Sequence, residues 1–309
     1  MHANPKRLHN PEPARISQLP MPVTEDTLES VMLRFLRLVR LAFWRAFQHD
    51  AFAIAKASAY SSILTFFPSL LVLGSLLATS RISDAYSREV GYALGRILPA
   101  GGSTVWSYLR APSHRSVGLL ISTSLITLWT ASGVIISWME AFRRAYELPK
   151  TWGILKERGI ALSLVVMAGI PLTFATMLMV AGNSIETRIL FSIGHVYGPF
   201  VLLMWTAIRW SIAILTSIAV IALIYHNAVP RTQPWHSVLP GATLATGMWY
   251  FVTAVFGWYL RNYANYNVIY GSLGFGIALL VWMYLVSLVI LVGSEFNAML
   301  FPRNAPNKN

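Results

Sequence analysis

Residues 269–296 read IYGSLGFGIALLVWMYLVSLVILVGSEF, and this stretch decides the fold class. A helix needs about 20 mainly apolar residues to cross the hydrocarbon core of a bilayer. The stretch meets that length and carries one charged residue, Glu295, close to its end. It therefore predicts a membrane-spanning helix.

Five further stretches pass the same length test, and only Arg209 places a charge inside any of them. Charged residues make up 12% of the 309 residues and hydrophobic residues 55%, whereas soluble domains carry about 25% charged residues. We therefore predict an all-α membrane protein, a six-helix transmembrane bundle with amphipathic interfacial helices. The five further spans are residues 57–79, 117–138, 160–180, 200–225 and 238–260.

Charge predicts how the bundle is oriented. Six spans place the segments between them alternately on the two sides of the membrane. Lys and Arg are about twice as numerous in the segments on the same side as the N-terminus as in those on the opposite side. Because positive residues accumulate in cytoplasmic loops, this predicts that both termini are cytoplasmic. The formal net charge is +12, but the basic residues flank the spans rather than forming a separate domain, so we predict no nucleic-acid partner.

The chain outside the spans is predicted to contain tails and surface helices. Residues 1–26 are proline-rich and predict a disordered tail, and residues 302–309 predict a second one. Residues 27–50 alternate apolar and basic residues with helical spacing, which predicts an amphipathic helix on the cytoplasmic face of the membrane domain at 51–301. A similar helix is expected at 81–98. Membrane lipids are the expected partners, and a homo-oligomer is compatible with the sequence.

Hydroxyl side chains recur with helical spacing in three predicted spans. Such stripes place polar groups on one helix face, and together they predict a polar cavity. Packing of helices against each other is the alternative, because small hydroxyl residues also allow close approach. The predicted cavity residues are Ser58, Ser62, Thr65, Thr123, Thr127, Thr130, Tyr284, Ser287 and Glu295.

Glu295 is expected to form an ion pair. Counting from Ile269 at 1.5 Å per residue, it lies roughly 39 Å along its helix, beyond a hydrocarbon core of about 30 Å. An interfacial position and a cationic partner are therefore predicted. The cations that flank neighbouring spans on the same side are Arg143, Arg144 and Lys56.

The sequence lacks the common catalytic patterns. It contains no cysteine, no pair of histidines with metal-ligand spacing and no phosphate-binding loop motif. Glu140, Glu147 and Glu157 are spaced for pairing with nearby arginines rather than for holding metal ions. We therefore predict a protein that is not an enzyme and has no cofactor and no metal.

Four blocks of the chain resemble a known family. They are AYSSILTFFPSLLVL (59–73), LWTASGVIISWMEAFRRAYE (128–147), IYHNAVPRTQPWHSVLPGATLATGMWYFV (224–252) and YNVIYGSLGFGIALLVWMYLVSLVILVGSEFNA (266–298). These blocks are similar to those of the YihY/BrkB family of bacterial inner-membrane proteins. The resemblance implies six membrane helices, the bacterial cytoplasmic membrane, an association with virulence and no established activity. The family also carries an older ribonuclease label.

Three functions follow from the residues and the resemblance together. The first is transport or flipping of an envelope lipid or an amphipathic small molecule. The second is a scaffold or envelope-assembly factor that transports nothing. The third is the ribonuclease of the older label, which would have to use Glu140, Glu147 and Glu157.

Overall fold

A computed structural model of the chain describes residues 28–79, 117–193, 198–230, 234–262 and 273–302. Within these ranges the secondary structure is helical, with no strand. The predicted tail at 1–26, the predicted helix at 81–98 and the end of the chain from residue 303 lie outside the described residues. The chain divides after Leu38 into two compact units, and the helix bundle belongs to the second.

Seven helices occur in the described residues. In chain order they are α1 (Leu28–Gln48), α2 (Ala51–Thr79), α3 (Val117–Ala145), α4 (Ile154–Ile193), α5 (Gly198–Asn227), α6 (Trp235–Asn262) and α7 (Leu273–Leu300).

Five of these helices, α3 to α7, are long and apolar enough to cross a membrane. The helical membrane class is therefore confirmed, but the predicted count of six spans is too high by this measure. Of the six predicted spans, the one at 57–79 is not among these five, although the 29 residues of α2 are long enough to cross a membrane.

Helices that follow one another in the chain are neighbours in space. The helices from α2 to α7 pack side by side in chain order, and α7 closes the ring by packing against α2. It also contacts α3. Half of the apolar span of α7 is buried, compared with 28% or less in the other four spans, so α7 is the most enclosed helix of the bundle.

Two residues with left-handed backbone conformation end helices at the same end of this ring. Asp50 has a φ of 60° and separates α1 from α2. Glu147 has a φ of 52° just beyond α3, where the Leu148 N–H donates to the Arg143 carbonyl at 2.9 Å. A left-handed residue with this hydrogen bond is a common way to end a helix, although glycine usually occupies the position.

Burial is concentrated where α7 ends. All twelve residues from 287 to 298 of α7 are buried. The beginnings of α2, α4 and α6 and the ends of α3 and α5 meet there, and we call this part of the bundle the Glu295 end. In α1, Ala42 and Ala46 are fully buried, because their small side chains allow close approach, while Trp44 and Phe47 are exposed.

A close helix contact joins α6 to α7 at the Glu295 end. A Cβ added at Gly241 would overlap the carbonyl oxygen of Gly293 and lie 2.5 Å from Cγ of Asn297. Asn297 accepts a hydrogen bond from the Gly241 N–H at 2.7 Å and donates one to the Val238 carbonyl at 3.0 Å. Pro240 has no N–H, so the buried amide stabilises α6 where its hydrogen-bond ladder is interrupted.

Replacing Gly241 by alanine is expected to destabilise the protein by about 1–3 kcal/mol, because α6 and α7 would have to separate. The measurement is the unfolding midpoint of the purified protein in detergent. Gly247→Ala is the matched control: it lies in the same helix and its added Cβ would meet nothing within 4 Å. It should be neutral or stabilising by up to about 1 kcal/mol. Equal destabilisation by both variants would contradict the helix contact.

Candidate functional site

The carboxylate of Glu295 is the most deeply buried acidic group in the described residues. Its side chain is 2% exposed and lies in the last turns of α7, inside an apolar helix. A charge within a membrane segment is costly unless it is paired or hydrated. The surroundings of Glu295 must therefore supply positive charge.

That charge comes from the end of α1. His49 Nδ1 donates a hydrogen bond to Oε1 of Glu295 at 2.7 Å. Arg45 Nε lies 3.4 Å from Oε2, which is an ion-pair distance without hydrogen-bond geometry. Arg45 is also 3.8 Å from Oε1 of Glu147. We call Arg45, His49 and Glu295 the Glu295 cluster.

The prediction that Glu295 pairs with a basic side chain is correct, but the predicted residues are wrong. The predicted cations were Arg143, Arg144 and Lys56, but the structure places Arg45 and His49 there. The reason is local: Arg45 and His49 are four residues apart, so both side chains leave the same face of the chain at the end of α1. That spacing is visible in the sequence, but it does not point to Glu295, which lies 246 residues from His49 in the chain.

The predicted arginines belong to a neighbouring ion network. Arg143 donates to Glu157 at 2.8 Å and contacts Glu140, which joins α3 to α4. Arg144 donates to Asp50 at 2.7 Å and to Glu140 at 3.0 Å, which joins α3 to the turn before α2. The third predicted cation, Lys56, is exposed on α2 and makes no ion pair within the described part of the chain.

The three glutamates considered for metal-dependent chemistry are all engaged by cations. Glu140 and Glu157 both contact Arg143, and Glu147 lies near Arg45. No group of three His, Asp or Glu side chains suited to hold a metal ion occurs in the described residues.

Of the predicted cavity hydroxyls, one pair is in direct contact between α2 and α7. Ser58 Oγ and Ser287 Oγ are 2.9 Å apart and fully buried. At this position the hydroxyls serve helix packing, the alternative to a polar cavity, because two small polar residues meet where the helices touch. Thr123 of α3 is also buried, and its hydroxyl donates to the Leu120 carbonyl at 3.3 Å.

The other predicted hydroxyls are half-buried and form a band across three helices. On α2, Ser62 and Thr65 follow the buried Ser58 on the same helix face. On α3, Thr130 lies one turn from Gly133, which packs against Ser61 of α2. Counted from the contacts of Ser58 with Ser287 and of Gly133 with Ser61 at 1.5 Å per residue, these positions lie at similar heights along the bundle axis, within about one helical turn of a common level. We call this set the hydroxyl band: Ser62, Thr65, Thr127, Thr130 and Tyr284.

The fold and these polar groups define a multi-pass membrane protein with a charged cluster at one end of a helix ring. A family model described as "Virulence factor BrkB" matches residues 42–309. The chain therefore belongs to the BrkB family, and the resemblance predicted from the sequence is confirmed.

Two relatives show how far the similarity extends. The chain is 27% identical over 270 residues to a ribonuclease-like protein, YfkH, of Bacillus subtilis, covering 86% of this chain and 96% of that one. It is 25% identical over 259 residues to the UPF0761 membrane protein Smlt0865 of Stenotrophomonas maltophilia, covering 82% of this chain and 59% of the relative. The chain thus spans about three-fifths of that relative's length. No solved structure matches.

The contact between Ser58 and Ser287 can be tested by a disulfide, because the chain has no cysteine of its own. The double variant Ser58→Cys/Ser287→Cys is expected to form an intramolecular disulfide on mild oxidation, visible as a mobility shift that a reductant reverses. Ser61→Cys/Ser287→Cys is the control, because Ser61 faces Gly133 of α3 instead. Efficient bridging of the control, or none in the first pair, would contradict the packing of α2 on α7.

Proposed function

We propose that this protein moves an amphipathic molecule, most simply an envelope lipid, between the leaflets of the bacterial cytoplasmic membrane. The hydroxyl band is the observation that carries the proposal. Half-buried hydroxyls at the same level of three packed helices offer hydrogen bonds inside an otherwise apolar bundle. A polar headgroup needs such partners to cross hydrocarbon, because an unpaired polar group there costs several kcal/mol by order of magnitude.

The Glu295 cluster supplies the closed end that a transporter needs. The buried residues at the Glu295 end leave that end of the bundle tightly packed. We therefore propose that this conformation is closed at its cytoplasmic end, with both termini in the cytoplasm. Opening would separate Arg45 and His49 from Glu295, and the ion pairs of Arg143 and Arg144 would limit how far α3 moves.

Transport is proposed ahead of the ribonuclease label that one relative carries. The glutamates that a nuclease would need are paired with arginines, and this arrangement suits a role in holding helices together. The proposed movement of a lipid involves no bond-breaking step.

A scaffold without transport is the second candidate, and one specific observation favours it. Four hydroxyls of the band already donate to carbonyls of their own helices, as Thr65 does to Ser61 at 2.8 Å and Thr127 to Thr123 at 2.7 Å. The others are Ser62 and Thr130. Hydroxyls satisfied in this way need no ligand, although each oxygen retains lone pairs that can accept a further hydrogen bond.

The experiment that separates the two is reconstitution of the purified chain in liposomes with a fluorescent phospholipid in both leaflets. A membrane-impermeant quencher then reports lipid moving to the outer leaflet. The wild type is expected to accelerate this movement, and Thr65→Val, Thr127→Val and Tyr284→Phe are expected to slow it several-fold, because each removes a hydroxyl with little change in shape.

Thr176→Val is the matched control. Thr176 makes the same kind of bond, to the Leu172 carbonyl at 2.8 Å, but it lies on the exposed face of α4. Its replacement should leave the rate unchanged. Purified wild-type protein that moves lipid no faster than protein-free liposomes would rule out flipping of that lipid, and equal loss in Thr176→Val would remove the role of the band.

A further inference from the structure

We propose that the exposed surface where α4 packs against α3 binds the phosphate of an anionic phospholipid, with Arg158 as the main contact. The observation behind it is the position of that guanidinium. Arg158 Cζ lies 3.8 Å from the ring centroid of Trp129, stacked on a side chain that is 59% exposed. The inference concerns a bound lipid and does not depend on transport.

The position of Arg158 beside an apolar span favours an anionic partner. Arg158 is the fifth residue of α4, and its guanidinium extends along α3 to Trp129, which lies within the candidate span Leu120–Ala145. A positive charge beside apolar residues of a membrane span is costly unless it is paired or draws polar groups towards it.

The protein itself supplies no acidic partner. Within the described ranges no carboxylate forms an ion pair with Arg158, and its neighbour Glu157 is already engaged by Arg143 and Lys150. Lys156, two residues earlier on a different face of α4, likewise lies over an aromatic ring, that of Trp152, at 5.7 Å. The guanidinium of Arg158 thus rests on an aromatic ring with its charge available to a ligand.

The surface around these cations fits a lipid rather than a soluble anion. Ile154 and Leu155 at the start of α4 are 80% and 89% exposed, so they would lie among acyl chains. On α3, Ile121 and Leu125 continue the exposed apolar face that ends at Trp129. Basic residues between membrane helices, beside apolar and aromatic side chains, are the chemistry that recognises anionic headgroups. A guanidinium binds phosphate oxygens through paired N–H donors.

The test is native mass spectrometry of the purified full-length protein titrated with phosphatidylglycerol, with phosphatidylcholine as the zwitterionic comparison. The wild type is expected to retain phosphatidylglycerol more tightly than phosphatidylcholine. Arg158→Gln should weaken the tightest phosphatidylglycerol site roughly tenfold, because a charge-assisted hydrogen bond is lost. Arg158→Lys should retain part of that affinity, since it keeps the charge and loses the planar fork.

Lys150→Gln is the matched control, because Lys150 is a cation of the same segment that lies 3.6 Å from Glu157. It should bind like the wild type. Trp129→Leu removes the exposed platform without changing charge, and it should weaken binding less than Arg158→Gln does. If Arg158→Gln does not fold, Trp129→Leu still tests the proposal.

Three results would overturn the proposal. They are wild-type affinity in both Arg158→Gln and Trp129→Leu, an equal loss in Lys150→Gln, and displacement of the lipid by millimolar inorganic phosphate. The last would show a site for a free anion instead of a lipid.

Discussion

The buried carboxylate of Glu295 is the constraint on which the rest of the arrangement depends. It lies in the most enclosed helix of the bundle, where an unpaired charge would be expensive. Arg45 and His49 at the end of α1 meet it, so Glu295 ties the end of α1 to α7. The left-handed turn at Asp50 makes this meeting sterically feasible.

Helix α7 uses a different polar group for each neighbour. Ser287 meets Ser58 of α2, and Asn297 bonds to the backbone of α6 on both sides of Pro240. The Ile290 carbonyl accepts a hydrogen bond from Tyr225 of α5 at 2.5 Å. Apolar helices in a membrane gain little from hydrophobicity when they associate, so such directional contacts and the close approach at Gly241 fix their register.

Much of the fold could be predicted from the sequence, because span length and hydropathy are local properties. The predicted span at 238–260 lies within α6 and the one at 117–138 within α3, and the helix predicted at 27–50 corresponds to α1. The hydroxyl stripes were also visible, because helical periodicity is a local property. The partners of Glu295 were not, since His49 is 246 residues away in the chain and its position depends on the backbone turn at Asp50.

The most direct test of the account is a double-mutant cycle between Arg45 and Glu295, with Arg45→Gln and Glu295→Gln, measured as unfolding free energy in detergent. The account predicts a coupling above about 1 kcal/mol, because the carboxylate is buried. A parallel cycle on the exposed pair of Arg144 and Asp50 should give less than about 1 kcal/mol, and a smaller value than the first cycle. Additive effects of Arg45→Gln and Glu295→Gln, within about 0.5 kcal/mol, would contradict the central role of the Glu295 cluster.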